Sequence, residues 1–255
     1  MTSSIITTFA GTGNAGFNGD GLDALKTNLS IDGIAVDISA GNVYLADTYN
    51  HLIRMVNVTS NTVHIIAGTG SGSYSGDGGP ATAASLYEPI DVSLDAAGNV
   101  YIAVKLDHRI RMVNITTGDI TTIAGNGVEP VQAYNIESNK NIGDGGAATS
   151  AMLFFPNGVV VDSNGTHLLL LSQPPSYSSL ISLGDVYMCD ESNRVRRITM
   201  STGIIETVVG QSYYRFDETY GGDGGSPTSA DLHTPADLAF DAAGTAPILS
   251  LTIIL

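Results

Sequence analysis

The chain has 255 residues, 43% of them hydrophobic and only 14% charged, and it contains 30 glycines. That is enough apolar mass for one sizeable core, and the glycine content suits short strands and tight turns better than helices. With 10 Lys plus Arg against 25 Asp plus Glu, the formal net charge of −15 repels phosphate backbones, which argues against nucleic acid and anionic membranes as partners.

The first element is a strand-like run, Ile5-Ile6-Thr7-Thr8-Phe9-Ala10, closed by Gly11, and no signal-peptide pattern precedes it. A Gly-Asp-Gly turn at Asp20 follows, then a stretch ending in Leu29 and a short apolar strand, Ile34-Ala35-Val36-Asp37. After a glycine turn comes Gly41-Asn42-Val43-Tyr44-Leu45-Ala46, then His51–Asn57, then Val63–Gly68. The whole series returns from Asp77: Leu86, Val92–Asp95, Gly98–Ala103, His108–Asn114 and Ile120–Gly125. A third copy starts at Asp144 with Leu153 and Val159–Asp162, and resumes at Asp185-Val186-Tyr187, Arg194–Ile198 and Ile204–Gly210. A fourth starts at Asp223 with Leu232 and Leu238–Asp241. Ile5–Gly11 has the form of the last strand of such a unit without its predecessors.

Each unit is therefore expected to hold four short strands, and units of this kind repeated radially make a β-propeller. A β-sandwich is the competing architecture, but it carries no motif at a fixed period. The expected fold is all-β: an incomplete propeller of four-stranded antiparallel blades, three complete near residues 31–68, 89–125 and 156–210, plus a partial fourth from about residue 236. The innermost strands are nearly continuous in apolar residues, which predicts packing on both faces. Ile5–Ala10 is expected to complete the outer edge of the fourth blade.

At these residues the chain resembles the NHL-repeat family, whose repeats read approximately P-x-G-(apolar)-D, G-N-V-Y-(apolar)-A-D, N-H-x-I-R. Pro156–Asp162 fits the first part, and Gly41–Asp47 with Asn50–Arg54 fits the rest. The Gly-Asp-Gly-Gly linker resembles repeats in extracellular regions of multidomain proteins. The resemblance implies a propeller that is typically six-bladed when complete, and relatives that include lyases and lactonases. The functional residues of those enzymes, such as zinc-holding channel histidines, have no matched positions here.

Two segments break the repeat. Residues 166–184 interrupt the third unit, and removing them restores Asp-Ser-Asn-Gly-Asp-Val-Tyr. Residues 245–255 replace the second strand of the fourth unit. Both breaks begin Gly-Thr, at Gly165 and Gly244, and read as intron sequence carried into the chain, with a genuine surface insertion as the alternative. Both are expected to be poorly ordered; splice donors in genomic DNA at these two points are the test.

One aspartate per Gly-Asp-Gly turn is too few oxygens for calcium, so these aspartates are expected to cap turn amides. His51 and His108 share one repeat position and read as architecture. Asp91 and Asp237 stand where Gly158 stands in the third unit and, with Asp32 and His233, mark a candidate acidic channel mouth. No three histidines converge on the inner strands, so neither a catalytic residue, a metal site nor a cofactor is assigned.

Linkers from the closing glycine to the Gly-Asp-Gly aspartate span 9 residues in the first two copies, then 19 and 13. The longer two carry Tyr134, Tyr213, Tyr214, Phe216 and Tyr220, aromatics suited to recognition above a rigid scaffold. The function expected is a non-catalytic scaffold for a protein, peptide or glycan; the alternative is a metal-dependent lyase or lactonase at the channel. Cys189 is the single cysteine, which is compatible with either a reducing compartment or an extracellular one. Sequons at Asn28, Asn57, Asn114 and Asn164 hint at the latter.

Overall fold

The structure is a computed structural model describing residues 5–128, 142–162, 184–211, 221–222, 224–232, 235–240 and 247–251. Its regular elements are strands and short 3₁₀ turns. Blade 1 contains β1 (Leu22–Asp23), β2 (Ile31–Val36), β3 (Val43–Asp47), β4 (Leu52–Asn57) and β5 (Thr62–Ala67), paired in the order β1-β5-β4-β3-β2. Blade 2 holds β6 (Pro89–Leu94), β7 (Val100–Val104), β8 (Arg109–Val113) and β9 (Ile120–Ala124) in simple succession. Blade 3 repeats this with β10 (Gly158–Val161), β11 (Val186–Asp190), β12 (Arg194–Thr199) and β13 (Ile204–Val209). The fourth sheet has two strands, β14 (Pro235–Phe240) and β15 (Pro247–Leu251). All pairings are antiparallel, and β2 packs on β6, β6 on β10, and β10 on β14.

Three complete blades and a partial fourth thus lie where the repeat puts them. Three expectations are corrected. The second strands β3, β7 and β11 are buried along nearly their whole length, whereas of the inner strands β10 is largely buried, β6 only half-buried and β2 largely exposed. A second strand is bonded on both edges and covered by blades on both faces, while the innermost one borders the central cavity. Residues 5–10 form no strand and join no sheet. An outer strand must pair with the third strand of its blade, and among the described residues the fourth sheet has two strands. Finally, the C-terminal tail is not wholly irregular: β15 pairs along β14 in the place of a second strand. Residues 166–183 of the other deviant segment, and residues 245–246 and 252–255 of the tail, lie outside the described residues.

Glycine is required where one blade meets the next. A Cβ on Gly33 would sit 2.6 Å from the Asp91 Cα of blade 2, closer than any real contact. In the Gly-Asp-Gly turn, Gly76 has φ +85° and lies against Ala84, whose Cα is 2.6 Å from where a Cβ would project.

Candidate functional site

The Gly-Asp-Gly turns do more than cap amides. In each described case the turn docks on the outer strand of the following blade, with Gly21, Gly78 and Gly145 donating to the carbonyls of Val63, Ile120 and Ile205. This covers a sheet edge that would otherwise be free to pair with another chain. The third strand of each blade then supplies a fully buried arginine, Arg54, Arg111 or Arg196, that reaches out to the turn. Arg111 Nη2 lies 2.6 Å from Asp77 Oδ1 and Arg196 Nη2 lies 2.6 Å from Asp144 Oδ1. Each guanidinium also donates to two main-chain carbonyls, of Ser75 and Ser85 for Arg111 and of Ile142 and Met152 for Arg196, and Arg196 Nε adds a second bond to Asp144. Asp20 and Asp77 also keep the expected role: Asp20 accepts from the Ile65 amide at 2.7 Å, with Arg54 3.9 Å away, and Asp77 accepts from the Thr122 amide. The signal missed was co-occurrence: one Gly-Asp-Gly and one third-strand arginine per repeat.

A second buried acid anchors the approach to each inner strand. Asp47 accepts from the Ser30 amide and Asp190 from the Phe154 amide. Blade 2 has Val104 at this position, and Asp107, three residues on, accepts from the equivalent Tyr87 amide instead. Burial pushes the Asp107 carboxyl up to about 7, with Arg111 and Arg109 opposing. Asp47 and Asp190 are raised for the same reason.

His51 and His108 prove to be joints between blades. Both adopt the left-handed conformation, and their Nδ1 atoms accept from the amides of Glu88 and Phe155 in the next blade. Asn193 holds the same conformation in blade 3. The sequon residues Asn57 and Asn114 turn their amide oxygens to capping the tight turns that follow them.

The inner strands of all four sheets border one cavity of about 810 Å³. Asp32, Asp91 and Asp237 line it together with the ion pair Lys105–Glu191, whose charged atoms are 3.3 Å apart. Asp91 is already committed: Oδ1 accepts from its neighbour Val92 and Oδ2 from Val159 of blade 3, both at 2.8 Å. Burial pushes its carboxyl up to about 7, the two amides pull it down, and the Asp237 charge raises it slightly. Asp237 is exposed, with Oδ1 accepting from Leu238. Cys189 is buried beside this joint, and burial pushes its thiol up, far from a reactive thiolate.

Asp32, Asp91 and Asp237 therefore line one cavity from three different sheets. His233, Tyr134, Tyr213, Tyr214, Phe216 and Tyr220 lie outside the described residues. Among the described residues no group of three or more His, Cys, Asp and Glu side chains is placed to hold a metal ion.

Residues 30–54, which span β2, β3 and the first half of β4, match the family model for the NHL repeat. That stretch is an NHL repeat. Teneurin-1 of Gallus gallus is 30% identical over 179 residues, 65% of this chain but 6% of that protein. The protein SUPPRESSOR OF QUENCHING 1, chloroplastic, of Arabidopsis thaliana is 30% identical over 93 residues, 35% of this chain and 9% of its own length. The NHL chain thus spans less than a tenth of either relative. Among solved structures, a protein of unknown function from Bacteroides thetaiotaomicron superposes with TM-score 0.57 at 18% identity, covering 88% of this chain and 45% of that one. An auxiliary nutrient binding protein of Bacteroides ovatus gives 0.55 at 18%, covering 88% and 46%. At such identities these two share the propeller fold and nothing more.

Proposed function

We propose that this NHL-repeat chain is a non-catalytic scaffold, one segment of a larger protein, that binds a protein, peptide or glycan through the longer loops between its blades. The observation that carries this reading is the state of Asp91: both oxygens of the most enclosed acid on the cavity wall are taken by backbone amides. A carboxylate bound in that way holds two blades together, with one acceptor site of each oxygen occupied by a backbone amide. The same economy holds elsewhere, since the repeated histidines and the buried arginines are used in joining blades and linkers. We assign recognition to the variable loops carrying Tyr134, Tyr213, Tyr214, Phe216 and Tyr220. Among the described residues no helix is long and apolar enough to cross a membrane.

The test is binding of the purified chain to peptide and glycan arrays, compared with a variant in which all five aromatics are alanine. A loss of at least about tenfold in affinity, with thermal stability retained, supports the reading. Undiminished binding by that variant defeats it, and so does stoichiometric metal in the purified protein that disappears with Asp237→Ala.

A further inference from the structure

The turn joining the third strand of a blade to its outer strand carries the same short motif twice. In blade 1 it is Asn57-Val58-Thr59, at the end of β4, and in blade 2 it is Asn114-Ile115-Thr116, just after β8. Both asparagines use Oδ1 alike, accepting from the amides two and three residues on: Thr59 and Ser60 at 3.0 and 3.1 Å, Thr116 and Thr117 at 2.9 and 3.1 Å. A cap of this kind needs only a side-chain oxygen. The first turn of each of these blades meets the need with aspartate: Asp37 accepts from the amides of Ser39 and Ala40, and Asp95 from those of Ala97 and Asn99. The second turn has asparagine instead, with threonine two residues on, and the cap leaves two groups over. Among the described residues the Nδ2 atoms of Asn57 and Asn114 donate to nothing, and the Thr59 and Thr116 hydroxyls make no hydrogen bond. A side-chain amide with a hydroxyl two residues later is what N-linked glycosylation requires.

The fold leaves room for a glycan at both turns. Residues 58–60 and 115–118 are exposed. Strand pairing puts the turns at the end of the sheets where Val36 meets Val43 and Leu94 meets Val100, opposite the end from which the linkers leave. The third sequon among the described residues, Asn28-Leu29-Ser30, is placed differently, inside a linker. There Asn28 Oδ1 accepts from Thr12 Oγ1, Leu29 packs against the Ala24 cluster, and the Ser30 amide is held by Asp47. In blade 3 Thr199 takes the place of the asparagine, and the motif is lost.

We propose that Asn57 and Asn114 each carry an N-linked glycan, so that one end of two adjacent blades is covered by sugar while the linker end stays bare. The donor is an oligosaccharide held on a lipid diphosphate. Nδ2 attacks the anomeric carbon, the N–C bond forms as the C–O bond to the diphosphate breaks, the lipid diphosphate leaves, and the amide loses one proton. Oδ1 takes no part in that exchange, so both caps persist in the modified chain. The assignment is independent of the binding role proposed above, and it implies that this segment faces the lumen of the secretory pathway or the cell exterior.

The test uses protein isolated from the cells that make it. Peptide-N-glycosidase in heavy-oxygen water converts each glycosylated asparagine to a labelled aspartate, and mass spectrometry of the peptides locates the label. The expected result is label at Asn57 and Asn114 and none at Asn28. Thr59→Ala removes the hydroxyl but keeps the backbone amide that the cap uses, so in the same cells it should abolish the label at Asn57 and leave that at Asn114 intact. Thr116→Ala should do the reverse. Label at neither asparagine, at one of the two, or at Asn28 overturns the proposal, as does label that survives the threonine variants.

Discussion

The same short pattern occurs at residues 5–11 and 62–68, apolar and threonine-rich and closing on Ala-Gly, yet the two copies behave oppositely. In β5, Val63 is completely buried; Ile6, its counterpart, is 97% exposed. The difference is supply of partners. β5 has β4 on one edge, β1 on the other and the Ala24–Leu45 cluster against its face, whereas residues 5–10 meet no third strand at all. Strand propensity is thus a capacity that a neighbouring edge converts into structure. The contrast extends to whole blades: blade 2, covered on both sides, has its arginine clamp at 2.6 Å, while the clamp of blade 1 stretches to 3.9 Å and Arg54 Nη1 lies 3.6 Å from the buried Asp47 instead.

Substitution at the paired positions tests the contrast most severely. Val63→Asp places a carboxylate in a closed core and should cost about 4 kcal/mol or more, whereas Ile6→Asp should change monomer stability by under about 0.5 kcal/mol; urea titration measures both. Equal costs would mean that residues 5–10 are packed after all. Next in size is the clamp. Arg111→Ala leaves Asp77 and two carbonyls facing the vacated site and should cost about 3–5 kcal/mol, and Arg54→Ala, already poorly satisfied, about 2 kcal/mol less. On the inner strands, Val92→Ala should cost about 2 kcal/mol and Ile34→Ala less than about 0.5, judged by shifts in thermal midpoint.

A pH dependence is also expected, from Asp91 at the joint between blades 2 and 3 and from Asp107 within blade 2. Asp91 and Asp107 both titrate near 7 in the fold against 3.8 for an unperturbed carboxyl, so the folded chain holds these protons more tightly than the unfolded one. Their contribution is full below about pH 4 and is lost as pH rises through 7. The urea midpoint of the protein should therefore decline between pH 5 and 8, and Asp91→Ala should flatten that decline. A steeper decline in the variant would show that the assignment to Asp91 is mistaken.

Repetition is why the architecture was so legible. Four strands per unit, the blade boundaries and the Gly33/Asp91/Gly158/Asp237 position can all be read by laying the chain against itself, because each blade solves one local packing problem with one set of residues. The joint histidines were legible in the same way. What repetition concealed was the use made of its own motifs. The pairing of Asp77 with Arg111 links residues 34 apart in the chain, and the shift of the amide-binding acid from Asp47 to Asp107 exchanges it with a valine three positions earlier. Neither a local spacing nor a composition reports such a contact, since a carboxylate in a turn looks alike whether it meets an amide or a guanidinium.

Sequence alone therefore determined the unit: four strands, a turn, a linker, and the order in which they recur, all set by alternation and turn chemistry over a few residues. Tertiary structure decided what each end of the unit meets. Burial of Val63 and exposure of Ile6, the two oxygens of Asp91 bound between blades, and the tail residues 247–251 taken up as a strand beside β14 depend on which edge lies next in space. Edges are satisfied by whatever backbone reaches them, and hydrogen bonds between backbones carry almost no trace in side-chain identity.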